Sequence, residues 1–506
     1  MFQGRWALPG CLFVLCVHAL AQDQAEAVVL SPEALVLSPD RAVTYALERN
    51  LDLKAARLAP QIATLEVRAA EAAWSPYLSG SVGFAGTHSP ALSVLDPISG
   101  PVTKHIAAGT SITQALPWGF SWTAGWDAER LTSNSPLLWF NPQLTANGTV
   151  AITQHLVKGF TIDEARANRL IAVKGQTVSD AGLASSVAAT TYAALRAYWT
   201  WIYTREYLAV EQRSLALAQS LLQDDRERAS LGKIASVDVI EVEAEVARRS
   251  DVILSAAKDV ANAQDELRLL IFAPEDPEQI RPLAPPSELA GPGSAKEPPE
   301  ETIARALDSR QDLRVLRAYL DIDDVTVRRL RNDRLPDVSL SLAYTGQGTA
   351  GGPNPGSAVR QRSFGSAFAD VGNFRYPGWS AELSVSVPIG KSQAAAEAAK
   401  AAVKRTQDEL LLRRAEQQVA TEVRSTMRTV EANRQRLPLT GNAVRLAERR
   451  LEAEQQKFLV GLSTSFLVIQ AQRDLTTARE GQVKSVLDYR LSLADLQAVR
   501  TISLPR

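Results

Sequence analysis

The chain has 506 residues, and its 55 Lys and Arg nearly balance 56 Asp and Glu for a net charge of −1. That balance excludes a general electrostatic attraction to nucleic acid. The two cysteines, Cys11 and Cys16, both lie in an N-terminal stretch that reads as removable, which excludes disulfide and thiolate chemistry from the mature chain.

Met1–Ala21 has a lone Arg5, an apolar run Trp6–Leu20, and Ala19-Leu20-Ala21 as a small-residue cleavage site. This is the pattern of a secretory signal peptide. The competing reading is an anchoring helix, for which the run is short, since a span takes about 20 apolar residues. No later stretch is apolar for long enough to make a membrane helix, which leaves a β route into a membrane open.

Pro39–Ala73 is rich in Ala, Leu, Arg and Glu and predicts one helical stretch, with Ser38 or Asp40 as its cap. A first strand follows, with Leu78, Gly80, Val82 and Phe84 on one face and Ser79, Ser81 and Gly83 on the other. His88–Thr103, with three prolines, reads as a loop, Ala108–Leu116 as a weaker strand, and Pro117-Trp118-Gly119 as a tight turn. Phe120–Arg130 alternates again, with Phe120, Trp122 and Trp126 opposite Ser121, Thr123 and Asp127. Leu131–Pro142 is a loop, and strand Gln143–Leu156 sets Leu144, Ala146, Val150 and Ile152 against Thr145, Asn147, Thr149 and Thr153. Trp118, Trp122, Trp126 and Trp139 cluster in this region. Either they line the core of a sheet, or they form an aromatic girdle at a membrane interface. The hydroxyl-rich opposite parity favours the girdle.

At Gly159 the alternation stops, and Thr161–Leu231 predicts a helix on the order of 100 Å long. No compact globule has a use for such a rod. A break at Gly232 leads to Ile234–Ile271, which carries a seam of Val239, Val242, Val246, Arg249, Ile253, Ala256, Val260, Ala263, Leu267 and Leu270. The spacing of three, four, three, four is that of coiled-coil packing, and only Arg249 is not apolar. Ala273–Pro299 holds eight prolines and reads as a linker between halves 22–272 and 300–506.

After the linker the plan repeats. Glu300–Asn332 is helical, Val338–Tyr344 alternates, Gly346–Pro377 reads as a glycine-rich loop, and Trp379–Val387 alternates. Ser392–Arg436 is helical with Val419, Val423, Met427 and Val430 on one face. Pro438 is expected to interrupt it, and Thr440–Val499 forms the last long helix, broken at Gly461. The halves align: Asn50-Leu51-Asp52-Leu53 falls on Arg310-Gln311-Asp312-Leu313, Pro76 on Pro336, Gly159 on Gly390, and Gly232 on Gly461. Pro76 to Gly159 spans 83 positions and Pro336 to Gly390 spans 54, so the first half holds 29 more residues, enough for the hairpin Ala108–Arg130. That hairpin either joins a barrel or folds over it. A complete barrel takes about eight or more strands, so one chain cannot close it and must oligomerise.

This duplicated order resembles the TolC-like outer-membrane efflux protein family over nearly the whole mature chain. The residues that carry it are the paired Gly232-Lys233-Ile234-Ala235-Ser236-Val237-Asp238-Val239 and Phe458-Leu459-Val460-Gly461-Leu462-Ser463-Thr464-Ser465-Phe466-Leu467-Val468, the Pro-plus-strand starts, and the strand-ending Gly159 and Gly390. The resemblance implies an α+β membrane protein, a homotrimer whose β-barrel in the outer membrane of a Gram-negative bacterium continues into a helical barrel across the periplasm. It implies a passive exit duct of a tripartite efflux or type I secretion system. Its partners would be outer-membrane lipid, a periplasmic adaptor (membrane fusion protein) and an inner-membrane RND or ABC pump. On that mapping the tip and adaptor-docking residues are Gly232, Lys233, Asp238, Gly461 and Ser463. Some members close the tip with an Arg–Asp network. Here Ser463, Leu467 and Gln470 stand at the matching second-half positions, with Asp238 in the first, so Phe458, Asp238 and Gln470 are the candidates for a tip constriction. The alternative is a periplasmic coiled-coil scaffold or adaptor, which explains the heptads but not the amphipathic strands.

No catalytic, cofactor or metal site is expected. His88, His105 and His155 are not at metal-ligand spacing. Gly346-Gln347-Gly348-Thr349-Ala350-Gly351 has the letters of a dinucleotide fingerprint, but prolines rather than a helix follow it, so it reads as a flexible loop. Gly390-Lys391-Ser392 lacks the upstream glycine of a phosphate loop.

Overall fold

The computed structural model describes residues 34–93, 95–286, 298–390 and 392–502. The signal-peptide reading of 1–21, with Cys11 and Cys16, lies outside them. In order, the elements are β1 (Leu35–Val36), α1 (Pro39–Arg49), α2 (Leu51–Ala56), α3 (Ala59–Glu71), β2 (Tyr77–His88), β3 (Val102–Leu116), β4 (Phe120–Ser133), β5 (Phe140–His155), α4 (Glu164–Ser230) and α5 (Ser236–Ile271). Then come β6 (Leu283–Ala284), α6 (Pro299–Ser309), α7 (Gln311–Asn332), β7 (Asp337–Pro353), α8 (Phe364–Gly372), β8 (Pro377–Ser386), α9 (Gln393–Leu459) and α10 (Ser465–Val499).

Strands β2-β3-β4-β5-β7-β8 form one antiparallel sheet in that order. The extra hairpin β3–β4 is therefore an integral part of the sheet rather than a cover over it. It is paired along its whole length, from Thr103 opposite Ser133 to Leu116 opposite Phe120. The register carries each strand's alternation into its neighbour. Leu78 stands beside Ile112, Ile112 beside Ala124, Ala124 beside Val150, Val150 beside Tyr344, and Tyr344 beside Trp379. One face of the sheet is thus apolar across all six strands. The other carries cross-strand polar pairs: Ser79–Ser111 at 2.8 Å, Thr113–Thr123 at 3.0 Å, Thr153–Ser341 at 3.1 Å, and the Asn147 amide donating to Asp127 at 2.8 Å. His105 meets Glu129 on the same face.

The glycine-rich segment departs from its expected loop. Its first part extends β7, with Gly346 opposite Gly148 and Gly348 opposite Ala146. The chain then folds back as α8 over the apolar face. A Cβ on Gly348 would stand 1.9 Å from the Ala367 carbonyl oxygen. Glycine here lets a helix lie directly on a strand, and Ala146, Ala350 and Ala367 seal the contact.

Below the sheet run the rods. α3 packs on α4, α4 on α7, and α7 on α9, repeating the order of the strands they join. Farther along, α5 and α10 pack back on α4 and α9. Every residue of the α5 seam is buried or half-buried. Arg249 belongs there because its guanidinium meets the buried Glu245 carboxylate at 2.7 Å and donates to Thr476 Oγ1 at 3.2 Å.

Three further departures have local causes. The expected single helix 39–73 is three helices, broken first at Asn50, whose extended backbone and side chain cap α2; Ser38 caps α1. The linker begins later than expected: Phe272, Ala273 and Leu283 are buried, and β6 pairs in parallel with β1. Pro438 does not interrupt α9, which continues to Leu459. A proline removes one helical hydrogen bond and crowds the preceding turn. Here Asn433 and Thr440 bracket it with bonds to α10, to the Asp488 carbonyl at 3.0 Å and to Ser485 Oγ at 2.8 Å.

Candidate functional site: a sheet with two open edges and a double helical tip

Two places carry the functional geometry, the sheet and the far end of the rods. Every residue of the edge strands β2 and β8 is exposed. Their outer backbone groups have no ladder partner, although Val82, Phe84, Trp379 and Leu383 are large apolar side chains. An exposed, apolar edge strand is a template for pairing with another chain. With 10 to 17 residues per strand, the sheet is tall enough to cross a bilayer, for which about 9–11 tilted residues suffice. No helix is long and apolar enough to do so among the described residues.

The four tryptophans grouped in the sequence stand at different heights. Trp118 lies in the turn beside the helices and Trp122 just above it, donating from Nε1 to Gln114 at 3.2 Å. Trp126 is farther up β4 and stacks on Phe368 of α8 with ring centroids 4.6 Å apart. Trp139 lies in the loop at the opposite end of the sheet from Trp118. A single girdle through all four is therefore replaced by separate levels, because successive positions on one face of a strand climb by about 6–7 Å.

At the far end, the α4–α5 and α9–α10 hairpins sit side by side. Both rods end in the same hydrogen-bonded cap. Gly232 N–H donates to the Ala229 carbonyl and Lys233 N–H to that of Arg228. Gly461 N–H donates to the Phe458 carbonyl and Leu462 N–H to that of Lys457. This cap needs a left-handed residue, and Gly232 and Gly461 have φ of 67° and 78°. Nothing lies within 4 Å of a Cβ built on either, so conformation rather than space demands glycine. Lys233 is exposed, and Asp238 and Ser463 are half-buried.

Phe458 lies in the core of the tip. It is 5% exposed, inside a cluster with Leu451, Val468 and Ile469. The Arg228 guanidinium covers its ring at 4.1 Å and donates to its carbonyl at 3.0 Å. A ring so placed joins the two hairpins within one chain. Gln470 is exposed. The sequence reading passed over Asp225, which is fully buried near the tip. Burial pushes its carboxyl up against the opposing pull of Ser465 and Arg228. One of two adjacent aspartates, Asp224 and Asp225, within a long polar helix gives no sign of that burial.

Among the described residues no group of His, Cys, Asp and Glu could hold a metal ion. Residues 302–499 match the sequence profile of the family described as Outer membrane efflux protein. No curated protein matches the chain. In fold it is similar to a membrane protein from Pseudomonas aeruginosa (TM-score 0.68, 15% identity, 93% of this chain and 92% of that one). It is also similar to the CmeC outer membrane channel of Campylobacter jejuni (0.66, 12%, 97% and 94%) and to the outer membrane protein VceC of Vibrio cholerae (0.63, 14%, 91% and 95%). The profile matched over the second half is thus that of outer membrane efflux proteins, and the fold over nearly all of the chain is that of solved outer membrane channels.

Proposed function

We propose that the chain is one third of a passive exit duct spanning the outer membrane and reaching into the periplasm. Three copies join β8 of one protomer to β2 of the next, which closes a barrel of eighteen strands, six from each chain. The apolar face, outside the part that α8 covers, meets lipid, and the Ser/Thr face lines the lumen. Barrel diameter grows roughly linearly with strand number, so this bore is about half as wide again as that of four strands per protomer. The observation that carries the reading is the pair of unpaired, fully exposed edges on a sheet with one oily and one polar face.

The rods continue the barrel as a helical tunnel built from two repeats, 22–272 and 300–506, joined by 273–299. In support, α4 and α9 both have 67 residues, α5 and α10 have 36 and 35, and both hairpins share one cap geometry. Trp118 and Trp122 sit at the inner membrane interface and Trp139 at the outer one. The tip around Gly232, Lys233, Asp238, Gly461 and Ser463 docks a periplasmic adaptor, which couples the duct to an inner-membrane RND or ABC pump. Leu231, Val237, Val460 and Leu462, 65–78% exposed, supply apolar surface for that contact. Asp238 and Gln470 remain candidates to face the pore.

Both natural cysteines lie in the stretch expected to be removed, so introduced cysteines report alone. Ser81→Cys in β2, combined in turn with Ser380→Cys, Ser384→Cys or Ser386→Cys in β8, is expected to give cross-linked species ending at trimers. Absence of cross-links in every combination, with a monomeric mass in detergent, contradicts the proposal.

A further inference from the structure

We infer that a groove at the foot of the sheet binds the phosphate of a phospholipid in the inner leaflet of the outer membrane. This rests on reading the sheet as membrane-spanning. The groove has a volume of about 970 Å³ and lies where α3, the β3–β4 turn, α4 and α7 meet. Trp74, Ile162, Leu170 and Leu335 give it an apolar wall, and Arg166, Arg169, Arg328 and Arg331 line it with positive charge.

Its height and side follow from Gln114. That residue shares the apolar face with Ile112 and Trp122, and its amide donates to the Trp74 carbonyl at 2.9 Å. The groove therefore begins where the lipid-facing surface ends, at the level of headgroups. Trp118 in the adjoining turn is 55% exposed, as befits an aromatic residue at an interface.

The four arginines are not equivalent. Arg166 is fixed: it pairs with Asp163 at 3.1 Å and donates to the carbonyls of Gly159, Phe160 and Thr161. Arg169 pairs with Glu71 at 2.9 Å, and both side chains are more than 40% exposed, so little holds that pair together. Arg328 and Arg331, three residues apart on α7, are exposed, and their guanidinium groups make no ion pair or hydrogen bond among the described residues, whereas Arg329 between them pairs with Asp333. Two guanidinium groups on one helical face, beside a third held rigid, match a phosphate, which accepts several charge-assisted bonds at once. The apolar wall beside them suits the first carbons of an acyl chain. A free anion would use the guanidinium groups but not that wall.

The test uses the full-length oligomer purified in detergent, stripped of lipid, and passed through vesicles of phosphatidylglycerol and phosphatidylethanolamine. Native mass spectrometry then counts retained phospholipid. Wild type is expected to keep phosphatidylglycerol in the presence of inorganic phosphate. The R328A/R331A variant should lose about tenfold or more in retention, since it removes two donors of charge-assisted bonds to the phosphate. The R328K/R331K variant should recover part of it. Equal retention by R328A/R331A with the oligomer intact overturns the inference, as does displacement of the lipid by inorganic phosphate alone. Extraction of wild type without detergent contradicts the membrane-spanning reading instead, and is scored before any lipid is added.

Discussion

Arg249 shows how much one residue can tell. In the sequence it is the single polar member of an apolar seam, and the structure shows why it is tolerated: Glu245, 1% exposed, lies one turn before it on α5, with Arg248 and Arg473 alongside. Burial alone would raise the Glu245 carboxyl, but hydrogen bonds from Arg473 and Arg248 and the charge of Arg249 hold it down at about 2. Its contribution is therefore present above the unfolded value near 4.5 and is lost as pH falls toward 2. Glu245→Ala leaves Arg249 buried without its carboxylate. This should cost about 3–5 kcal/mol, read as a lower unfolding temperature of the oligomer. Glu211 works in the opposite sense. Burial, then a hydrogen bond with Glu480, pushes it up to about 7, while Arg249 and Arg248 pull it down. A raised native value means that its stabilisation is present below the unfolded value and disappears as pH rises through about 7, by at most about 3 kcal/mol. Glu211→Gln should flatten the fall in unfolding temperature between pH 5 and pH 8, and an unchanged slope would refute this. The heptad made Arg249 conspicuous in the sequence; Glu211 and Asp225 sit in helices too polar to mark any position as buried.

At the scale of elements, alternation and seam spacing placed the strands and rods, because one polar and one oily face leave a period that a single sequence records. What stayed hidden depends on contacts distant in the chain. The glycines of β7 read as a loop because nothing nearby announces that α8 will lie on them. Gly348→Val puts a side chain where the Ala367 carbonyl already stands. It should free α8 from the sheet, seen as protease cleavage near 364–372 in the intact oligomer. Pro438 read as a break because local propensity gave no weight to the bonds that Asn433 and Thr440 make to α10. Pro438→Ala should restore the missing helical bond and raise the unfolding temperature. A lower temperature would mean that the proline is needed for the packing of α9 on α10.

At the scale of the molecule, one chain supplies six strands of a single sheet and four long helices, α4, α5, α9 and α10. The sequence contained the extra hairpin, as 29 residues that the second half lacks, but left its place open. Pairing of β3 with β2 and of β4 with β5 settles it within the chain. Six strands with both edges exposed cannot close alone, and the rods below them expose apolar tips with no partner in the chain. The central claim is that the edges close on copies of the same chain. The most direct measurement is an electron-microscopic reconstruction of the detergent-purified protein at a resolution that separates strands. The expected result is threefold symmetry, with eighteen strands around one lumen and β8 of each protomer bonded to β2 of the next. A particle in which β2 and β8 stay unpaired, or one in which the β3–β4 hairpin stands outside a twelve-stranded barrel, would contradict it.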